Sequence, residues 1–201
     1  MSYRGKRLLD LALTVPALVA SLPVQAVAAV AVRFTMGSPV LFRQQRPGLD
    51  GAPFEMLKFR TMRLPDPERG LVTDAQRMTR TGAFLRSTSL DELPTLWNII
   101  RGDMSIVGPR PLLMQYLERY TPEQSRRHAV RPGLTGLAQV SGRNALSWEQ
   151  KFARDVEYVD HNSLTVDLRI IARTVVQVLR RDGISAEGEA TMSEFMGSPA
   201  A

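Results

Sequence analysis

The chemistry of this chain concentrates at one adjacent carboxylate pair, Asp91-Glu92. Neighbouring carboxylates at a helix start stay ionised, so they can bind a hard cation such as Mg2+ through oxygen or act as a nucleophile. The same pair has a purely structural reading. Ser89-x-x-Glu92 matches a capping box, and acids in a first helical turn are favoured by the helix dipole. What tips attention toward chemistry is the supply of guanidinium groups: Arg86 before the pair, Arg101 and Arg110 after it, Arg131 and Arg143 in later loops. Arginine forks match phosphate geometry. Carboxylates, Mg2+ and arginines in stiff Gly/Pro loops make a phosphoryl-transfer kit that works by positioning and charge neutralisation.

Other constellations are poor. His128 and His161 have no partner at metal-ligand spacing and read as surface or core histidines. The chain has no cysteine, which excludes disulfide scaffolds, zinc fingers, iron-sulfur clusters and a thiol nucleophile. No Walker loop, G-x-G-x-x-G or G-x-S-x-G is present. With 201 residues, 44% hydrophobic and 23% charged, there is material for one catalytic domain with an appendage. A net charge of +6 points to an anionic partner: nucleic acid, anionic lipid or a phosphorylated substrate.

The elements that must position these residues begin with an uncharged run from Leu11 to Val32. As a helix it would measure roughly 33 Å, close to a bilayer core of about 30 Å. Pro16 and Pro23 interrupt it. Cations flank both ends, Arg4, Lys6 and Arg7 before and Arg33, Arg43 and Arg46 after, and both flanks therefore ask for the cytoplasmic side. A helix broken near Ser21 and Pro23 could enter one leaflet and return, with the Ser21 hydroxyl satisfying a freed carbonyl. A single span and a cleaved signal peptide remain open from the residues alone, although Asp10 and the apolar length stand against the latter.

Val40 to Arg43 and Phe54 to Met62, separated by Pro47-Gly48-Leu49-Asp50-Gly51, read as a β-hairpin, with Lys58 and Arg60 on one face by alternation. That face is either a cationic site or merely solvated. Asp74 to Leu85 reads as a weak helix or an irregular segment, Ser87 to Ile100 as one capped amphipathic helix, and Leu112 to Tyr120, Ser147 to Tyr158 and Ser163 to Arg181 as three more. The last is basic and amphipathic, able to lie on an anionic membrane or to pack on the core.

Seven motifs then occur in register. They are Phe42-Arg43-Gln44-Gln45-Arg46-Pro47-Gly48, Lys58-Phe59-Arg60-Thr61-Met62, Ser89-Leu90-Asp91-Glu92-Leu93-Pro94, Gly102-Asp103-Met104-Ser105, Val107-Gly108-Pro109-Arg110-Pro111, Arg131-Pro132-Gly133-Leu134-Thr135-Gly136 and Gln139-Val140-Ser141-Gly142-Arg143-Asn144. In a likeness that covers roughly residues 4 to 197, this set resembles the bacterial sugar transferases, the small monotopic phosphoglycosyl transferases. Asn144 to Trp148 and Asp155 to Val159 are most similar to members that begin bacillosamine-type glycan assembly.

The resemblance implies an α+β enzyme: a re-entrant membrane helix-break-helix over residues 1–36, a catalytic domain over residues 37–183 and a tail over residues 184–201. A small β-hairpin and amphipathic helices at the membrane interface would surround the site. It implies transfer of a sugar-1-phosphate from a UDP-sugar, an N-acetylated hexosamine or derivative, to polyprenyl phosphate with release of UMP, at the cytoplasmic face of the bacterial inner membrane. Asp91 would form a phosphosugar-aspartyl intermediate, and Glu92 would help hold Mg2+ or handle protons. Lys58, Arg60, Arg86, Arg110, Arg131, Gln139 and Arg143 would bind substrate. Departures exist: Leu22 rather than Ser precedes Pro23, and Leu137 and Ser141 replace a common Trp and Asn, which leaves the donor sugar open.

Two other functions compete. A non-catalytic basic protein of the membrane surface or of nucleic acid would use the +6 charge alone, although the aromatic stacking motifs of nucleic-acid binders are missing. An anchored diphosphate hydrolase would use the same carboxylates and Mg2+ but deliver the phosphosugar to water.

Overall fold

A computed structural model describes residues 2–142, 145–180 and 194–197. The chain opens with one long helix, α1 (Lys6–Met36), that contains both prolines. No glycine interrupts it, and Gly37, in the left-handed region at φ 76°, ends it by donating its N–H to the Arg33 carbonyl. Helical assignment runs unbroken through the expected break at Ser21 and Pro23. Pro23 removes the bond to the Val19 carbonyl. The Ser21 hydroxyl donates instead to the preceding Leu18 carbonyl at 2.9 Å and accepts from Gln25 Nε2.

One stripe of α1 is buried: Lys6, Asp10, Thr14, Leu18, Gln25, Ala28 and Val32, spaced by fours, a three and a seven. Leu18 packs with Met56, Leu96, Ile99 and Met104, while Ala28 and Val32 pack with Phe59 and Leu85. The rest of the helix exposes apolar side chains, among them Leu8, Val19, Val27 and Phe34. By length and composition α1 could cross a membrane.

The hairpin forms as expected, from β1 (Leu41–Pro47) and β2 (Pro53–Phe59), paired antiparallel from Leu41 opposite Phe59 to Pro47 opposite Pro53. A two-stranded ribbon is marginal alone and leaves an unpaired edge. Here a helix completes that edge. Asn98 accepts from the Leu57 N–H (3.0 Å) and donates to the Glu55 carbonyl (2.7 Å), and Thr95 Oγ1 donates to the Leu57 carbonyl (2.8 Å).

Two short helices follow, α2 (Asp74–Arg77) and α3 (Arg80–Ser87). The single helix expected from Ser87 to Ile100 is divided into a 3-10 turn, Leu90–Glu92, and α4 (Thr95–Arg101). Ser89 sits at φ 56°, in the left-handed region, and Pro94 has no N–H to continue the ladder. Beyond α4 a parallel pair unforeseen from sequence, β3 (Ser105–Val107) and β4 (Gly133–Thr135), is joined through a 3-10 segment, Met114–Arg119, where a helix was expected, and α5 (Pro122–Ser125). A β-carbon on Gly133 would lie 2.1 Å from Gly108 N, so this close crossing needs glycine and fixes the 108–111 loop.

The chain continues through α6 (Leu137–Val140), α7 (Trp148–His161), with a Ser147 capping box, and α8 (Leu164–Arg180). Ile170 of α8 packs into the core, while Leu164, Leu168, Val175, Val176 and Val178 are exposed beside Arg169 and Arg173. Phe195 inserts among Tyr116, Tyr120, Trp148 and Phe152.

The cationic flanks of the apolar run are not uniform. Lys6 is buried and bonds Asp10 (3.1 Å) and Asp167 (2.6 Å). Tyr3 and Tyr158 also donate to Asp167, and Ser105 and the Ile106 N–H donate to Asp10. Arg7 donates to the Ile99 and Ile100 carbonyls at the C-terminus of α4. Arg46 lies at the hairpin tip against Pro111. Only Arg4, Arg33 and Arg43 are exposed cations as the flanking pattern expected.

Candidate active site

Asp91 and Glu92 share the 3-10 turn that begins after Ser89. The capping box is not formed: Ser89 makes no side-chain cap bond, and its left-handed backbone is of the kind that costs about 1–3 kcal/mol and clusters at functional sites. Glu92 Oε1 instead accepts from Lys58 Nζ at 2.6 Å and Arg110 Nη2 at 3.1 Å. Glu92 is therefore spent on cations and not on helix starting.

The environment drives the two carboxyls apart. Burial would raise Glu92, but Lys58 and Arg110 outweigh it and hold the group at about 2. Burial, with the negative charge of Glu92 beside it, pushes Asp91 up to about 6, against the pull of Lys58, Arg86 and Arg110. Neighbouring acids separated in this way take different roles. Glu92 is a permanent anion; Asp91 is a more basic, buried carboxylate suited to nucleophilic attack.

Three elements bring the cations in. Lys58 comes from β2, whose position α4 fixes through Thr95 and Asn98. Arg86 comes from α3, where Gly82 lets the helix lie against Thr61: a β-carbon there would stand 1.7 Å from the Thr61 carbonyl oxygen. Arg86 Nε donates to Thr61 Oγ1 at 3.0 Å. Arg110 comes from the Gly108–Pro111 loop, and its carbonyl accepts from Arg127 Nη2 at 2.7 Å. Arg127 is buried and held by Asp155 through Nε and Nη2.

Among the expected substrate-binding residues, Lys58, Arg86 and Arg110 gather at the carboxylates, and Arg60, Arg131 and Gln139 are bonded elsewhere. Arg60 lies past the end of β2, and its guanidinium donates to the Met36, Gly37 and Ser38 carbonyls, capping the C-terminus of α1. Strand alternation placed it beside Lys58, but the strand ends at Phe59. Arg131 donates to the Gly102 carbonyl at 2.7 Å and lines a cavity of about 190 Å³ beside Lys6, Asp10 and Tyr158. Gln139 donates to the Leu134 carbonyl, and its Oε1 is buried without a partner. Arg143 lies outside the described residues.

Sequence reasoning missed the supports: Asn98 and Thr95 on the sheet edge, Arg127–Asp155 behind Arg110, and the Lys6–Asp10–Asp167 cluster. Only the last left a trace, an i,i+4 pair whose acid stands at the edge of the apolar run.

A profile of the family described as Bacterial sugar transferase matches residues 1–181. The chain belongs to that family. This sugar transferase is 49% identical over 194 residues to the sugar transferase EpsL of Bacillus subtilis, covering 96% of each chain. It is 42% identical over 189 residues to the UDP-glucose:undecaprenyl-phosphate glucose-1-phosphate transferase of Caulobacter vibrioides, covering 88% of this chain and 70% of that one. It is 39% identical over 193 residues to the exopolysaccharide production protein ExoY of Sinorhizobium fredii, covering 87% and 85%. The sugars named for such relatives are glucose and galactose. They give no support to the N-acetylated hexosamine that the resemblance implied.

Proposed function

We propose that this sugar transferase moves a hexose-1-phosphate from a UDP-sugar, with UDP-glucose and UDP-galactose the first candidates, to a polyprenyl phosphate, releasing UMP. The observation that carries the reading is the buried Asp91 beside an ionised Glu92 within the field of Lys58, Arg86 and Arg110. In the first step an Asp91 carboxylate oxygen attacks the β-phosphorus. A new P–O bond forms, the bond to the bridging oxygen breaks, and its electron pair leaves with UMP. In the second, a phosphate oxygen of the polyprenyl phosphate attacks the same phosphorus and Asp91 departs as carboxylate. Lys58, Arg86 and Arg110 neutralise the diphosphate and the charge that develops on it.

The residues fit Mg2+. That ion is commonly held by one or two carboxylates together with substrate phosphates, and a single Glu92 oxygen carries both cation contacts, leaving the other with Asp91 for a metal. Bound there, Mg2+ would supply Lewis-acid stabilisation of the phosphate oxygens.

The acceptor is a lipid, so the site belongs at a membrane. We place the protein on the cytoplasmic face of the bacterial inner membrane, with α1 entering one leaflet and returning. Both ends of α1 are tied to the catalytic domain, at the start through Lys6 and Arg7 and at the end through Arg60. A crossing helix would carry one end away from it. Labels placed at Ser2 and Ser38 will both react from the cytoplasmic side only; reaction of either from the far side replaces the re-entrant arrangement with a span.

The decisive assay is UMP release from a small UDP-sugar panel with undecaprenyl phosphate and Mg2+. Turnover of at least one hexose donor, lost in Asp91→Asn, is the expected result. Turnover by Asp91→Asn near the wild-type rate would remove Asp91 as nucleophile.

A further inference from the structure

Most arginines that reach the interior are held by two or more strong acceptors of the fold. Arg7 and Arg60 are bound by two and three main-chain carbonyls, although Arg60 Nε is also buried with no partner, and Arg127 by Asp155, Tyr120 and the Arg110 carbonyl. Arg46 differs. Its Nη1 donates weakly to the Pro111 carbonyl at 3.4 Å and its Nη2 to Gln44 Oε1 at 2.6 Å. Its Nε is buried with no partner. With five N–H groups on a guanidinium, three are left over, and among the described residues no carboxylate lies within ion-pair distance of it.

The charge that acts on it most is another cation. Burial and the Arg110 guanidinium together push Arg46 down to about 10. A half-buried guanidinium held beside a like charge, with donors unspent, is unfavourable until an anion joins them. Arg110 is already on Glu92, and Pro111, which braces Arg46, is the next residue. The cations that act on Asp91 are Lys58, Arg86 and Arg110, and Arg46 meets this set through the loop that carries Arg110.

We infer that Arg46, beside Arg110, binds the phosphate of the nucleoside monophosphate that leaves. This rests on the proposed function: when Asp91 attacks the β-phosphorus, the breaking bond deposits its electron pair on the departing phosphate, on the side away from Asp91. Arg46 offers that phosphate the two N–H groups, one on each terminal nitrogen, that no protein group uses. Lys58 and Arg86 then serve the transferred phosphoryl, and Arg46 serves the leaving group.

The test measures UMP and uridine binding to the purified full-length protein in detergent, in wild type, Arg46→Gln, Arg46→Lys and Asp91→Asn. We expect UMP affinity to fall about tenfold or more in Arg46→Gln, with partial recovery in Arg46→Lys. Uridine, which has no phosphate, should bind all four proteins alike and so reports a folded site. UMP affinity within twofold of wild type in Arg46→Gln would overturn the inference. Parallel loss of uridine binding would overturn it too, by making Arg46 a brace for the Pro111 loop. If Arg46→Gln does not fold, Arg46→Lys carries the same comparison with a smaller expected loss. Normal UMP binding without turnover in Asp91→Asn supports the proposed function whatever Arg46 does, whereas no UMP binding by the wild type would remove both.

Discussion

Two clusters in this molecule set a lysine against carboxylates, and they differ in how completely they are satisfied. At the start of α1, Lys6 lies between Asp10 and Asp167, Tyr3 and the Ile106 N–H share the oxygens that Lys6 binds, and Tyr158 and Ser105 reach the other oxygen of each acid. At the site, Lys58 and Arg110 both fall on one oxygen of Glu92, Asp91 is buried with its pKa raised, and Arg86 and Arg46 keep unspent donors. The first cluster is closed and holds the apolar helix to the domain. The second is open and cationic, and it is an anion, the substrate, that would complete it. A buried ionic group thus reads as structural when its donors and acceptors balance and as functional when they do not.

The comparison breaks most visibly at Asp91. Asp91→Asn should cost at least about a thousandfold in turnover, roughly 4 kcal/mol of barrier, with the thermal midpoint unchanged or raised, since the substitution removes an unfavourably buried acid. Loss of folding together with activity would place Asp91 in the structural class. Asp167→Ala should do the reverse. It leaves Lys6 buried against a single acid and should destabilise the protein by about 3–5 kcal/mol, read as a lowered unfolding midpoint, while the protein that remains folded retains its affinity for UMP.

A third effect is on pH. A carboxyl raised to about 6 is protonated below that value, so turnover should rise with pH through about 6 and level off above it. Glu92→Gln removes the neighbouring negative charge that helps raise Asp91 and should move this midpoint lower; an unmoved midpoint would assign the titration to another group. Smaller still, Gly82→Ala must push α3 off the Thr61 carbonyl and carry Arg86 with it. A stability loss of about 1–3 kcal/mol with a raised KM for the nucleotide sugar is expected. An unchanged KM would show that Arg86 follows the carboxylates independently of α3.

The lesson for sequence reading lies in particular residues. The hairpin was legible because turn formers at Pro47 to Gly51 separate two strand-like runs, and α7 because Ser147 and Gln150 form a real capping box. The same logic failed at Ser89-x-x-Glu92. A box competes with whatever else the glutamate can reach, and Lys58, 34 residues away in the chain, was stronger. Arg60 was misplaced by one residue of strand, because alternation says nothing of where a strand ends. Arg46 was counted as a membrane flank for want of any means to see Pro111 beside it.

The sequence by itself determined the long apolar helix, the hairpin, the acidic pair and the series of motifs by which the chain resembles its family, because periodicity, turn chemistry and motif order are local properties. Only the tertiary structure decided which charges are spent and which are free. That depends on contacts between residues far apart in the chain, where burial and neighbouring charge hold Glu92 ionised, lift Asp91 and leave Arg46 without an anion.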